Sequence, residues 1–94
     1  MEIGKITGQV VSTARHHKLP QTTLLLVDII DVDGNVLASQ QVAADHIGAG
    51  MGEWVLLTRG SSARTIFDTE VPVDLSVVGI IDQITSGRES LYTK

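Results

Sequence analysis

Residues 22–45, TTLLLVDIIDVDGNVLASQQVAAD, decide the fold. The first ten are the most apolar run in the chain. If they form a strand, Leu25, Val27 and Ile29 share one face, and Leu24, Leu26 and Ile30 share the other. Asp31-Val32-Asp33-Gly34-Asn35 follows. An Asp-Gly pair supplies the positive φ that tight hairpin turns need, so the chain is expected to reverse here and return as a second, less apolar strand over 36–45. The same loop lacks the further oxygen ligands and the terminal Glu of a calcium loop. An antiparallel strand in a lone small domain keeps one wet face. Two apolar faces on the first strand therefore call for a cover from this chain or from another subunit.

Working outward, residues 2–14 form a strand expectation that contains Gly4 and Gly8, positions where small barrels bend or bulge. A polar loop with Pro20 separates it from the hairpin. Residues 53–59 are the next strand, and 73–84, apolar on both sides, the closing one. Residues 61–70 hold at most one short helical turn, which Pro72 would end. The expectation is a mainly β chain, a small five-stranded OB-like β-barrel with a short helical turn. Residues 1–94 make a single domain, with 86–94 as a C-terminal tail or an extra edge strand in which Leu91 and Tyr92 dock.

Bulk properties agree with one modest core. A chain of 94 residues buries roughly 60–65% of its unfolded surface. Val, Ile and Thr are abundant and Ala is scarce, which suits a pleated sheet. There is no Cys, hence no disulfide framework and no thiolate metal site. No apolar run approaches the roughly 20 residues of a membrane span. The N-terminus lacks a signal-peptide pattern, so a soluble cytoplasmic protein is expected. Net charge is −4 with seven Lys and Arg, and the aromatic residues are one Trp, one Tyr and one Phe. Nucleic-acid binding draws on phosphate neutralisation and stacking platforms, and the chain is poor in both.

The candidate functional residues lie in 45–64. Gly48-Ala49-Gly50-Met51-Gly52 reads G-x-G-x-G. A dinucleotide fingerprint needs Gly at the sixth position and a helix after it; Glu53 stands there and a strand follows. Gly60-Ser61-Ser62-Ala63-Arg64 has Arg64 where a nucleophile elbow needs Gly. His16, His17 and His46 do not make the three- or four-ligand set of a metal site, and adjacent strand residues point to opposite faces. Asp45-His46 is likewise only a pair. Arg64 and Asp74 are a candidate ion pair, within or between subunits. No catalytic residue, metal site or cofactor is expected, and the chain is read as a non-enzyme.

These motifs carry a family resemblance. Ile47-Gly48-Ala49-Gly50-x-Gly52-Glu53-Trp54-Val55-Leu56-Leu57, Gly60-Ser61-Ser62-Ala63-Arg64, and Pro72-Val73-Asp74 with Gly79-Ile80-Ile81-Asp82 resemble the pentameric vertex proteins of bacterial microcompartment shells. Thr7-Gly8-Gln9-Val10-Val11 and Leu24-Leu25-Leu26-Val27 fit the same pattern. Arg15-His16-His17 and the extension to Lys94 look closest to the ethanolamine-utilisation branch. Thr22-Thr23 stand where many relatives carry Lys.

The resemblance implies an OB-like barrel that forms cyclic homopentamers and plugs the five-fold corners of a shell tiled by hexameric shell proteins. The role is structural, in a microcompartment shell such as that of a metabolosome or carboxysome, with no nucleic-acid or membrane partner. Gly48, Ala49, Gly50 and Gly52 would form a loop near the five-fold axis or at a subunit contact. Ser61, Ser62 and Ala63 would pack on a neighbour or rim the pore, and Arg64 and Asp74 would anchor the interface. The rival class is an OB-fold module for single-stranded nucleic acid.

Overall fold

The hairpin of residues 22–45 forms as its alternation requires. In the computed structural model, which describes residues 1–19, 22–60, 63 and 73–94, β2 spans Thr23–Ile30 and β3 spans Val36–Asp45. Their turn closes through the Asp31 N–H to the Asn35 carbonyl and the Gly34 N–H to the Asp31 carbonyl, both 3.0 Å. Gly34 takes φ 87°, which a side chain would oppose. The Asp31 carboxylate accepts the N–H groups of Asp33 and Asn35 at 2.9 Å each, so the turn is held from its own first residue. Those bonds, led by Asn35, lower the Asp31 pKa.

Three more strands close the barrel: β1 Glu2–Val10, β4 Trp54–Arg59 and β5 Leu75–Ile80. The order around it is β1-β2-β3-β5-β4, with β1 pairing both β2 and β4. Every pairing is antiparallel except β3 with β5, where Ala44 meets Ser76 and Asp45 meets Val77 in parallel register. This is the OB-like barrel expected. The helical turn expected within 61–70 lies outside the described residues, apart from Ala63.

The core is the inward set. Leu25, Val27 and Ile29 of β2 meet Ile6, Ala43, Val55, Leu57, Leu75 and Val77. Gly4 lies beneath them: a Cβ there would sit 2.5 Å from Leu57 Cδ1 and 3.3 Å from the Asp28 carbonyl oxygen. This glycine is set by close approach, not by φ. Gly8 follows a register shift in β1 after Ile6, the bulge that a strand glycine marks. β3 carries its own irregularity at Gln40, which has φ 56° and donates its N–H to Asp28 Oδ1 at 3.0 Å.

The second apolar face of β2 lies outside the barrel. Leu24 and Ile30 are buried nonetheless and Leu26 is half-buried. Ile30 is in register with Ile3 of β1, and Ile3 with Leu56 of β4, so an apolar rung crosses three strands on the outer wall. Leu19 and Val73 lie beside Leu24 and Val42 and give that end a local cover.

The stretch 73–84 is not one strand. β5 ends at Ile80, the Ile81 N–H donates to the Trp54 carbonyl at 2.8 Å, and pairing resumes in β6 Gln83–Ser86 with β7 Glu89–Thr93. These two form a separate hairpin, turning at Gly87 with φ 60°. It touches the barrel strands little, and the molecule measures 47 × 23 × 21 Å. Its base is fixed by Tyr92, stacked on Trp54 with ring centroids 4.0 Å apart and planes 12° apart, and by the Lys94 N–H to the Asp82 carbonyl at 2.9 Å.

Candidate functional site

The glycine loop is a constrained lid on one end of the barrel. It opens at Asp45, the last residue of β3, which is 5% exposed. Asp45 Oδ1 accepts the N–H of Ile47 at 3.0 Å and of Gly48 at 3.2 Å; Oδ2 accepts Gly48 at 3.2 Å and Ala49 at 2.9 Å. One carboxylate thus satisfies three consecutive backbone donors, an Asx-type arrangement that fixes how the chain leaves the strand. Ala49 then packs against the core. The loop returns through the Gly52 N–H to the Ile6 carbonyl, 2.9 Å, and the Ile6 N–H to the Glu53 carbonyl, 3.0 Å. Gly48 and Gly52 have φ 99° and 82°, and among the described residues nothing lies within 4 Å of a Cβ built at either. Their glycines answer to backbone conformation, while Ile47 and Met51 beside them are exposed.

Glu53 secures the far side of the loop. Its Oε1 accepts the Gly50 N–H, and its Oε2 pairs with the ammonium of Lys94, the last residue of the chain. The Lys94 hydrogen bond, then the Gly50 amide, lowers the Glu53 pKa; the Glu53 hydrogen bond raises that of Lys94. The signs fix a pH window. A depressed carboxylate contributes stability above its ordinary value and loses it as pH falls through the folded value. A raised amine contributes below its ordinary value and loses it as pH rises through the folded one. Gly50 is therefore expected to be best held between the ordinary Glu and Lys ranges. Lys94→Met should move the Glu53 titration up towards the ordinary carboxylate value and speed exchange of the Gly50 amide. NMR titration reads both, and an unchanged Glu53 midpoint would refute the coupling.

The other candidate segment is at the opposite end of β4. Gly60, with φ 71°, donates its N–H to the Asp74 carbonyl at 2.8 Å. Ala63 is fully buried, and its carbonyl accepts the hydroxyl of buried Ser76 at 2.8 Å. Asp74 is exposed. Its charge adds to the pull of Glu2, which pairs with Arg59 at 2.8 Å and is the main reason the Arg59 pKa is raised. Ser61, Ser62 and Arg64, and with Arg64 the proposed ion pair to Asp74, lie outside the described residues. The structure brings Gly48, Ala49, Gly50 and Gly52 together at one end and Ala63 and Asp74 at the other. The six residues of β4, about 17 Å from end to end, run from the first group towards the second.

Three contributors were missed by motif reading. Asp45 was weighed only as half of a ligand pair with His46, although an Asp placed before a glycine-rich loop is itself a turn signal. Glu53 enters the sequence reading as the residue that spoils a nucleotide fingerprint and as the start of the strand over 53–59, not as a partner of the loop. Lys94 carried no local signal. His16 and His17 stack with centroids 4.4 Å apart, and the His16 Nδ1 accepts the Lys18 N–H at 3.1 Å. Among the described residues, no group of three or more His, Cys, Asp or Glu is placed to hold a metal ion.

Comparison with known proteins places this arrangement. The sequence profile of the family described as ethanolamine utilisation protein EutN/carboxysome matches residues 1–82. The bacterial microcompartment shell vertex protein EutN of Escherichia coli K12 is 50% identical over 95 aligned positions, covering 100% of both chains. A solved structure of an ethanolamine utilization protein EutN superposes with a TM-score of 0.93 at 48% identity, covering 100% of this chain and 99% of the other. GrpN, a pentameric microcompartment shell protein from Rhodospirillum rubrum, gives 0.82 at 40% identity, covering 92% of this chain and 100% of its own. With barrel, glycine loop and C-terminal hairpin all inside the aligned length, the chain belongs to the EutN/carboxysome family of microcompartment shell vertex proteins.

Proposed function

We propose that the chain assembles as a cyclic homopentamer that fills a five-fold corner of a microcompartment shell, with hexameric shell proteins as its neighbours. As a member of a structural family it is a shell component, not an enzyme. The observation that carries the pentamer is the likeness, over nearly the whole chain, to a shell protein described as pentameric. Physical argument supports it: hexagons alone tile a flat sheet, and pentagons supply the closure. A head-to-tail interface closes into such a ring when its rotation allows.

Within the ring, the loop of Gly48, Ala49, Gly50 and Gly52 serves as a subunit contact or lies near the axis. Open space beside Gly48 and Gly52 and the exposure of Ile47 and Met51 support that role. Ala63 and Asp74, with Ser61, Ser62 and Arg64, form the second contact region. The single-stranded nucleic-acid reading gains nothing from the barrel, whose one Trp is stacked on Tyr92 instead of standing open as a platform. Native mass spectrometry at micromolar concentration tests the assembly. The expected species is a pentamer; a monomer or dimer under those conditions would overturn it.

A further inference from the structure

The C-terminal hairpin and the glycine loop meet on two neighbouring residues, Glu53 and Trp54. Glu53 divides its carboxylate: Oε1 accepts the Gly50 N–H, and Oε2 pairs with the Lys94 ammonium. Its own N–H donates to the Gly50 carbonyl at 3.1 Å. Trp54 stacks on Tyr92, and its indole also borders the β2–β3 turn, 3.5 Å from a Cβ built at Gly34. The Trp54 carbonyl takes the Ile81 N–H where the chain leaves the barrel for the hairpin. Among the described residues the hydrogen bonds of the loop run to Asp45, Ile6 and Glu53, and none reaches Tyr92.

The hairpin is a separable unit. β6 and β7 pair only with each other. Beyond its base the hairpin stands off the barrel across a groove of about 590 Å³, lined by Ile84 of β6 and by Ile3 and Leu56 of the barrel. A two-stranded hairpin alone in water is marginal, so its position depends on what it docks against. Tyr92 and Lys94 are two residues apart on an extended chain and therefore share one face. Their partners, Trp54 and Glu53, are consecutive. A single movement of that face makes or breaks both contacts. An exposed ion pair holds weakly alone, and a ring stack adds a modest increment. The docked position rests on the two together.

From this juxtaposition we infer that the β6–β7 hairpin is a latch on the glycine loop: its docking on Glu53 and Trp54 and the ordering of Gly50 are one equilibrium. While Tyr92 is seated on Trp54, Lys94 holds the Glu53 carboxylate in place for the Gly50 amide. When the hairpin turns away about Ile81 and Asp82, Glu53 loses its cation and Gly50 its fixed acceptor. The amides held by Asp45 stand outside the device, because their acceptor belongs to the end of β3. The latch is built within one chain and does not depend on the ring. Coupling of this kind is reciprocal, so whatever orders Gly50 also seats the hairpin.

Amide hydrogen exchange on the full chain, read by NMR, tests both directions. Tyr92→Ala removes the ring stack and alters neither Glu53 nor the loop. It should speed exchange of the Gly50 amide about two- to tenfold, the range an aromatic pair supports, and leave the Ala49 amide, held by Asp45, unchanged. Tyr92→Phe keeps the stacked ring and should match wild type. Gly50→Ala tests the reverse path. Its Cβ would sit 3.2 Å from Glu53 Oε1 and displace the carboxylate that Lys94 meets. The Lys94 amide, which donates to the Asp82 carbonyl at the hairpin base, should then exchange faster. A Gly50 amide that ignores Tyr92→Ala overturns the inference, as does a Lys94 amide that ignores Gly50→Ala. Equal acceleration of Gly50 and Ala49 in Tyr92→Ala would make the stack a general stabiliser and overturn it too.

Discussion

Asp45→Ala is expected to lower the unfolding free energy by about 3 kcal/mol, from three backbone donors losing a charged acceptor in a partly buried site. Among the described residues the Ile47, Gly48 and Ala49 amides have no replacement partner, because Asp45 supplies both oxygens from a strand end that is itself buried. An ordinary helix cap serves fewer amides from an exposed position, and its loss costs about 1 kcal/mol. Ile47 and Gly48 are exposed, so water recovers part of the loss, which keeps the expectation below the full sum. Asp45→Asn keeps one carbonyl oxygen and should fall between wild type and Ala. Urea denaturation at fixed chain concentration measures this, the concentration mattering because a ring adds its own stabilisation. A loss under about 1 kcal/mol would mean that the loop is held by Glu53 and the Ile6 bonds alone.

That carboxylate also marks the limit of what the sequence reveals. The hairpin at Asp31–Asn35 was legible because turn chemistry is local: the bonds that close it run among Asp31, Asp33, Gly34 and Asn35. The inward set Leu25, Val27 and Ile29 was legible because a strand alternates strictly. The two-sided apolarity of β2 was also legible, and it correctly signalled a cover, since Leu24 and Ile30 are buried on the outside of the barrel. The break after Ile80 was not. Ile80-Ile81-Asp82-Gln83-Ile84 continues a plausible strand pattern, and where the barrel pairing stops is set by the partner strand: β4 begins at Trp54, whose carbonyl takes the Ile81 N–H. Trp54 on Tyr92, Glu53 on Lys94 and the parallel pairing of β3 with β5 are likewise contacts between distant parts of the chain. Periodicity records which way a side chain points, not what it meets. In the candidate site the glycines were visible and the acids that position them were not, because closely spaced glycines are a local pattern and an Asp or Glu acquires its role only from the backbone folded around it.

Leu57→Ala should be as damaging as the loss of Asp45, for a different reason. Leu57 has no exposed surface and sits in a barrel closed on every side by hydrogen-bonded strands, so the walls cannot collapse into the space it leaves. Large-to-small changes in such settings cost about 2–5 kcal/mol, rising with the residual cavity, and the rigid wall places this one in the upper half. Gly4 makes the claim sharper. Gly4→Ala alone drives a methyl to within 2.5 Å of Leu57 Cδ1, while the Asp28 carbonyl at 3.3 Å is backbone and yields little; overpacking of this kind costs about 1–3 kcal/mol. In the double variant the added methyl enters the cavity left by the lost isobutyl group. The clash is removed and part of the void is filled. The double variant should therefore be more stable than the sum of the single losses predicts, with a coupling of at least about 1 kcal/mol. A double-mutant cycle by urea denaturation measures it directly. Additive losses would mean that Gly4 and Leu57 do not share this space, and that β1 carries its glycine for a reason other than the packing of β4.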